Sequence, residues 1–164
     1  GCGNFGCWWP HRIFGNRRAE RAGTLEVHPW ADDRPVKDQQ RKGAILRENW
    51  RERFEEFAKR LGGKNVYVTI DLDCLRVQEA VTNWESGRFT AGDLQWALGE
   101  LHQSCRIVAG DICGAYSPPK YARWKQSFAA EFDRPKLPPP NLEQARETNL
   151  ATLEKLWPLL AGSL

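Results

Sequence analysis

Over residues 44–61, apolar side chains return at three- and four-residue spacing, at Ile45, Leu46, Trp50, Phe54, Phe57, Ala58 and Leu61, with arginine and glutamate between them. This is the stripe of an amphipathic helix turned toward a core. Gly62 and Gly63 follow at once, and glycine past the last apolar position is a helix stop because it accepts the left-handed conformation. Residues 66–73 are β-branched and apolar enough for a buried strand, and they end in two acids, Asp71 and Asp73. A second helix is predicted from Thr90, with Asp93 as its capping-box partner and Leu94, Ala97, Leu98 and Leu101 as its buried stripe. Residues 106–113 supply another strand. Strand, helix and strand in that order predict a βαβ unit, a largely parallel sheet and the α/β class. Asn141 is predicted to cap a last helix that turns Leu142, Ala145, Leu150, Leu153, Leu156 and Trp157 inward, with Pro158 near its end.

Between these elements the pattern is weaker. Residues 1–22 are too broken by glycine and proline for a helix or strand. Residues 24–28 alternate as a short strand before Pro29, with His28 as a strand-end residue rather than a ligand, and residues 32–35 read as a turn. Ser117, Pro118 and Pro119 break the strand before them. Residues 119–140 form an insertion or loop, whose end, 136–140, is a stiff connector that cannot join a sheet. Within it, residues 120–125 interleave bases with aromatics, which reads as a solvated amphipathic turn. No internal repeat or low-complexity tract is evident.

Composition narrows the class. At 164 residues one compact domain is expected, and 41% hydrophobic residues with 8 Trp and 7 Phe exclude a disordered tail. A net charge of +3 is too mild to nominate a nucleic-acid partner. No apolar run approaches the roughly 18 residues of a membrane span, and the first residues lack a signal-peptide pattern. The five cysteines show no CxxC spacing, so neither a zinc ribbon nor a disulfide framework is indicated, and a reducing, cytoplasmic setting is expected. The sequence contains no Met, which leads us to expect the C-terminal piece of a longer chain.

Chemistry concentrates at Asp71 and Asp73. Residues two apart on a strand point to the same side, with Cα atoms roughly 6.5–7 Å apart, so two carboxylates are expected to aim at one place. They lie at the carboxyl end of a predicted parallel strand, where open α/β sheets bind ligands. Like charges so close favour a cation between them, and hard oxygen donors suit Mg²⁺ or Mn²⁺. The opposing reading is that strand-end acids cap the next element or sit in solvent. Asp111, at a second predicted strand end, is a third candidate carboxylate; a hydrogen bond to the backbone of a neighbouring loop is the reading we prefer for it.

The string Val66-Tyr67-Val68-Thr69-Ile70-Asp71-Leu72-Asp73-Cys74-Leu75, then Glu85-Ser86-Gly87-Arg88-Phe89-Thr90, then Ile107-Val108-Ala109-Gly110-Asp111-Ile112 and Pro118, resembles the arginase and agmatinase (ureohydrolase) family in order and spacing. That family runs Ser-Phe-Asp-x-Asp-x-Leu-Asp-Pro, then Gly-Thr-Pro-x-x-Gly-Gly-Leu-Thr opening a helix, then Gly-x-Asp-x-x-Glu-x-Asn-Pro. The resemblance covers residues 64–118, with the flanks agreeing only in topology. It implies a three-layer α/β/α fold with a mostly parallel sheet, of which residues 1–164 are the C-terminal part and residues 141–161 the terminal helix. It also implies a binuclear Mn²⁺ hydrolase acting on a C–N bond of a guanidino, amidine or amide-like small molecule. Asp71 would bridge both ions and Asp73 would bind one, while Asn83, in the place of the Gly-Thr-Pro segment, would contact substrate. No nucleic acid or membrane partner is implied, and a homo-oligomer is compatible with it.

The chain departs from the family at several points. Leu75-Arg76-Val77 replaces Leu-Asp-Pro, and Thr82-Asn83-Trp84 replaces Gly-Thr-Pro. Gly114 stands where the family's Glu pairs with the substrate guanidinium, which points away from a typical arginase. The family's remaining ligands come from Gly-Gly-x-His and Asp-Ala-His-x-Asp motifs upstream, and His11, His28 and His102 occur in neither setting. The piece alone is therefore expected to be inactive. Two alternatives stay open: a non-catalytic relative that keeps the fold for binding, and a haloacid-dehalogenase-like phosphatase in which Asp71 attacks phosphorus and Asp73 serves as acid and base. Leu75 and the single Asp111 fit the phosphatase poorly.

Overall fold

The computed structural model describes residues 26–31, 43–118, 120, 122–125, 128 and 138–162. The loop read over 1–22, the first two residues of the 24–28 strand, the 32–35 turn and most of 119–137 lie outside the described residues. The chain divides into two compact units, Gly1–Lys64 with Gln103–Cys105 and Asn65–His102 with Arg106–Leu164.

In the first unit, helix α1 (Trp50–Arg60) buries Trp50, Phe54, Phe57 and Ala58. It starts later than the apolar spacing predicts. Ile45 forms instead a parallel bridge with Trp30, its N–H donating to the Pro29 carbonyl and its own carbonyl accepting from Ala31, both at 2.9 Å. Those bonds hold residue 45 extended, so the helix cannot reach back to Ala44, and Leu46 is left exposed. Beyond the helix Gly63 adopts a φ of 69°, as expected of a stop. Residues 26–28 are not a strand: Glu26 pairs with Arg60 at 2.6 Å, and buried His28 meets Glu26 Oε1 at 2.9 Å and the Gly43 carbonyl at 3.0 Å.

The second unit contains the predicted βαβ element. Strand β1 (Asn65–Asp71), helix α2 (Ala91–Ser104) and strand β2 (Arg106–Cys113) follow in order, and the strands pair in parallel from Asn65–Arg106 to Asp71–Cys113, with one irregularity after Val66. Thr90 and Asp93 form the predicted capping box: Asp93 N–H donates to Thr90 Oγ1 at 3.0 Å, and Thr90 N–H donates to Asp93 Oδ2 at 2.9 Å. Helix α3 (Leu142–Leu160) is capped by Asn141, whose Oδ1 accepts from the Glu143 and Gln144 amides. Ile70, Leu98, Leu156 and Leu160 form a buried cluster, joined by Val68, Leu94, Ile107, Ile112 and Leu159. Helices α2 and α3 therefore share one face of the sheet. At Gly110 a Cβ would stand 2.5 Å from the Val68 carbonyl oxygen and 2.6 Å from Leu160 Cδ1, so β2 admits α3 only because that residue has no side chain.

The face of α3 is where the sequence expectation fails. Leu142, Leu150 and Trp157 are 58%, 49% and 54% exposed, and the buried set is Ala145, Asn149, Thr152, Leu156 and Leu160. Asn149 and Thr152 turn inward because they have backbone partners there. Asn149 receives Val81 N–H at 2.8 Å and donates to the Val81 carbonyl at 2.8 Å, and Thr152 donates to the Glu79 carbonyl at 2.5 Å. Within 120–125 the described Trp124 is exposed, in keeping with a solvated segment, but Trp124 and Lys125 are helical rather than a turn. The described chain is thus α/β, with a two-stranded parallel sheet and three helices. None of these helices is long and apolar enough to cross a membrane.

Candidate functional site

The candidate site begins where β1 stops. Asp71 is the last strand residue, and a single turn of 3₁₀ helix, Leu72–Cys74, follows directly. The two acids are therefore not alternate residues of one strand, as the period of two predicts; Asp73 sits in the middle of the turn. Apolar anchors end the strand there: Leu72, Cys74 and Leu75 are buried. Backbone bonds then tie the turn to the segment before α2, with Gly87 N–H donating to the Leu75 carbonyl at 2.8 Å and Arg76 N–H to the Phe89 carbonyl at 2.9 Å. The hydrophobic residues point in and leave both carboxylates outward, Asp71 exposed and Asp73 half-buried. Asp71 Oδ1 accepts a long bond, 3.4 Å, from the Asp73 amide.

The pair is electrostatically coupled even so. Burial, and then the charge of Asp71, push the Asp73 carboxyl up from 3.8 to about 6. In the unfolded chain Asp73 ionises first, so between about pH 4 and pH 6 the native state holds the extra proton. Stability should accordingly fall as pH rises through that window. Asp73→Asn, which cannot ionise, should flatten this slope in metal-free protein and raise stability at pH 7 by about 1 kcal/mol, the full linkage value being reduced by solvent screening. Denaturation curves at pH 4, 5, 6 and 7 check it; parallel pH profiles for the two proteins would contradict the assignment.

Asp111 does not lie at a strand end. It is opposite Thr69 in the ladder, and its carboxylate accepts from Thr69 Oγ1 at 2.8 Å and from the Tyr67 hydroxyl. These two donors, Tyr67 first, hold the Asp111 carboxyl below its usual value, while the carboxylate raises the Tyr67 phenol. The expected loop-backbone partner is thus replaced by side chains of β1 on the sheet face away from α2 and α3. Cys113 is opposite Asp71 on that same face; burial, and then Asp71, Asp111 and Asp73, push its thiol up. Sequence reading passed over Cys113, although the parallel register would have placed it beside Asp71.

Asn83, the expected substrate contact, fastens a loop. Its Nδ2 donates to the Ser117 carbonyl at 2.9 Å and its Oδ1 accepts from the Ser117 amide at 3.0 Å. Thr82 and Ala115 form an antiparallel bridge beside it. The segment after β2 is thereby stitched to residues 81–83.

As a cation site the pair is chemically apt and incomplete. A half-buried carboxylate next to a second one suits a hard divalent ion. Among the described residues, however, no group of three or more His, Cys, Asp or Glu side chains could hold a metal. His28 is engaged through both ring nitrogens, His102 Nε2 meets the Leu159 carbonyl at 2.6 Å, and His11 lies outside the described residues. No family model, curated protein or solved structure matches the chain.

Proposed function

We propose that this chain is the C-terminal, carboxylate-bearing part of a metal-dependent hydrolase of the ureohydrolase type, three-layered in its complete form and acting on a C–N bond of a small guanidino, amidine or amide-like molecule. The observation that carries the reading is the Asp71 and Asp73 pair, held at the carboxyl end of a parallel strand with one member raised to about 6. Two Mn²⁺ ions, when bound, would supply Lewis-acid polarisation and a nucleophile at neutral pH. Asp71 and Asp73 would hold them, with further ligands from outside the described residues. Asn83 is the proposed substrate contact, since its amide keeps a second N–H and a second lone pair beyond the bonds to Ser117. Gly114 brings no carboxylate to the exit of β2, which supports a substrate other than arginine. A cytoplasmic small-molecule enzyme is the setting we propose.

The phosphatase alternative has one observation in its favour. A carboxyl titrating near 6, two residues past Asp71, has the properties of a general acid. Metal content decides among the readings. In the complete natural protein, Mn²⁺ bound per chain should fall by most of its value in the Asp71→Ala, Asp73→Ala double variant. Unchanged metal content would sink the site assignment. A wild-type protein without metal would favour the non-catalytic relative, and hydrolysis of p-nitrophenyl phosphate abolished by Asp71→Asn would favour the phosphatase.

A further inference from the structure

The residue after β2 has two constraints at once. Gly114 has a φ of 85°, the left-handed region that L side chains rarely adopt, because the chain must leave β2 there and reach the Ala115 bridge with Thr82. Independently, a Cβ on Gly114 would stand 1.9 Å from Asp71 Oδ1, 3.1 Å from Asp71 Cγ and 3.2 Å from the Leu72 amide nitrogen. The first distance is far inside any non-bonded contact. The space that a side chain at position 114 would fill is already occupied by the carboxylate of Asp71.

We infer that Gly114 is a positioning residue for Asp71. The carboxylate lies back over bare peptide at the exit of β2, with Oδ1 toward the Asp73 amide, and among the described residues Oδ2 accepts no hydrogen bond. Any side chain at 114 displaces the Asp71 carboxylate, moving it away from the turn that carries Asp73. The same overlap means that an acidic side chain at 114 and the present pose of Asp71 exclude each other. The bare wall at Gly114 and the placement of the first carboxylate are one feature of the fold. The overlap at Gly114 is a matter of geometry; its consequence for metal rests on the reading proposed above.

A double-mutant cycle in the complete natural protein separates the two constraints. Gly114→Ala meets the φ strain, the Leu72 amide nitrogen and the Asp71 carboxylate, whereas in the Asp71→Ala background the φ strain and the Leu72 contact remain. The drop in melting temperature on Gly114→Ala should therefore be smaller when Asp71 is already Ala. If Gly114→Ala alone fails to fold, folding of the double variant gives the same answer. Equal drops in both backgrounds, or failure of both to fold, overturn the inference. The functional readout is Mn²⁺ affinity by electron paramagnetic resonance, taken well below both melting temperatures. Gly114→Ala should weaken it tenfold or more, an effect that loss of stability alone would not produce; unchanged affinity overturns the positioning role. If the wild-type protein binds no Mn²⁺, the metal reading fails by itself, while the melting cycle still decides whether Gly114 seats Asp71.

Discussion

Replacing Leu156 with alanine should cost about 3 kcal/mol of stability, the largest loss expected from any single truncation in the second unit. Leu156 is fully buried and lies in the cluster with Ile70, Leu98 and Leu160, where α3 and α2 meet one face of the sheet. Removing its isobutyl group forfeits the transfer energy of the buried carbons and leaves a cavity. Its walls belong to three different elements, so they close in only partly. A two-stranded sheet is marginal without such cover. A fall in melting temperature on the order of 10–20 °C is expected. The control is Leu150→Ala on the same helix: Leu150 is 49% exposed, and its truncation should change stability by no more than about 0.5 kcal/mol. Equal losses at the two positions would mean that α3 is rotated from the orientation described.

That pair of substitutions also shows what a one-dimensional pattern can and cannot say. Leu142, Leu150, Leu153 and Trp157 make an apolar stripe as regular as the one that is buried, and nothing local ranks one above the other. The choice is made by Asn149 and Thr152, whose partners at Val81 and Glu79 lie 68 and 73 positions away. Signals confined to one turn were legible: the Thr90 and Asp93 capping box, the Asn141 cap and the glycines after α1. Ile45 was not, because its backbone is taken by residues 29–31 rather than by the helix its apolar spacing suggests.

The candidate site divides in the same way. Asp71 and Asp73 could be picked out as residues, but the period-two geometry assigned to them ends at Asp71. Buried Leu72, Cys74 and Leu75 convert the next residues into a turn. What survives is the electrostatic content of the expectation, two coupled carboxylates at a strand end, without its strand geometry. Asp111 reads as a strand-end residue, although the strand predicted over 106–113, which β2 matches, ends two residues later at Cys113. Its true partners depend on the register of two strands joined through α2. The 1.9 Å overlap at Gly114 depends on that same register, and so a glycine that looks like a missing side chain in the sequence is a filled space in the fold.

Asn149→Ala should be the most damaging polar substitution, at about 2 kcal/mol. The Asn149 amide acts toward Val81 as a neighbouring strand would, accepting its N–H and donating to its carbonyl at 2.8 Å each, and Asn149 is 6% exposed. Alanine leaves the Val81 N–H unsatisfied beneath α3, worth roughly 1–3 kcal/mol when desolvated, and takes one of the two donors from the Val81 carbonyl, which keeps the Tyr116 amide at 2.9 Å. Asn149→Asp tests the donor alone, since a carboxylate still accepts from Val81 N–H but sets a negative oxygen against the Val81 carbonyl; it should be destabilising too. The consequence extends beyond the helix. Val81 accepts from the Tyr116 amide at 2.9 Å, and Asn83 clips Ser117, so residues 81–83 hold the segment that leaves β2 at Gly114. Amide hydrogen exchange at Val81, Tyr116 and Ser117 should therefore accelerate together in Asn149→Ala, more than at Ile70 in the sheet. A stability change below about 0.5 kcal/mol, or exchange that rises equally everywhere, would show that α3 does not hold this loop. Faster exchange confined to residues 81–83 and 114–117 would tie the stability of α3 to the seat of Asp71, connecting the buried face of the last helix to the carboxylates at the end of β1.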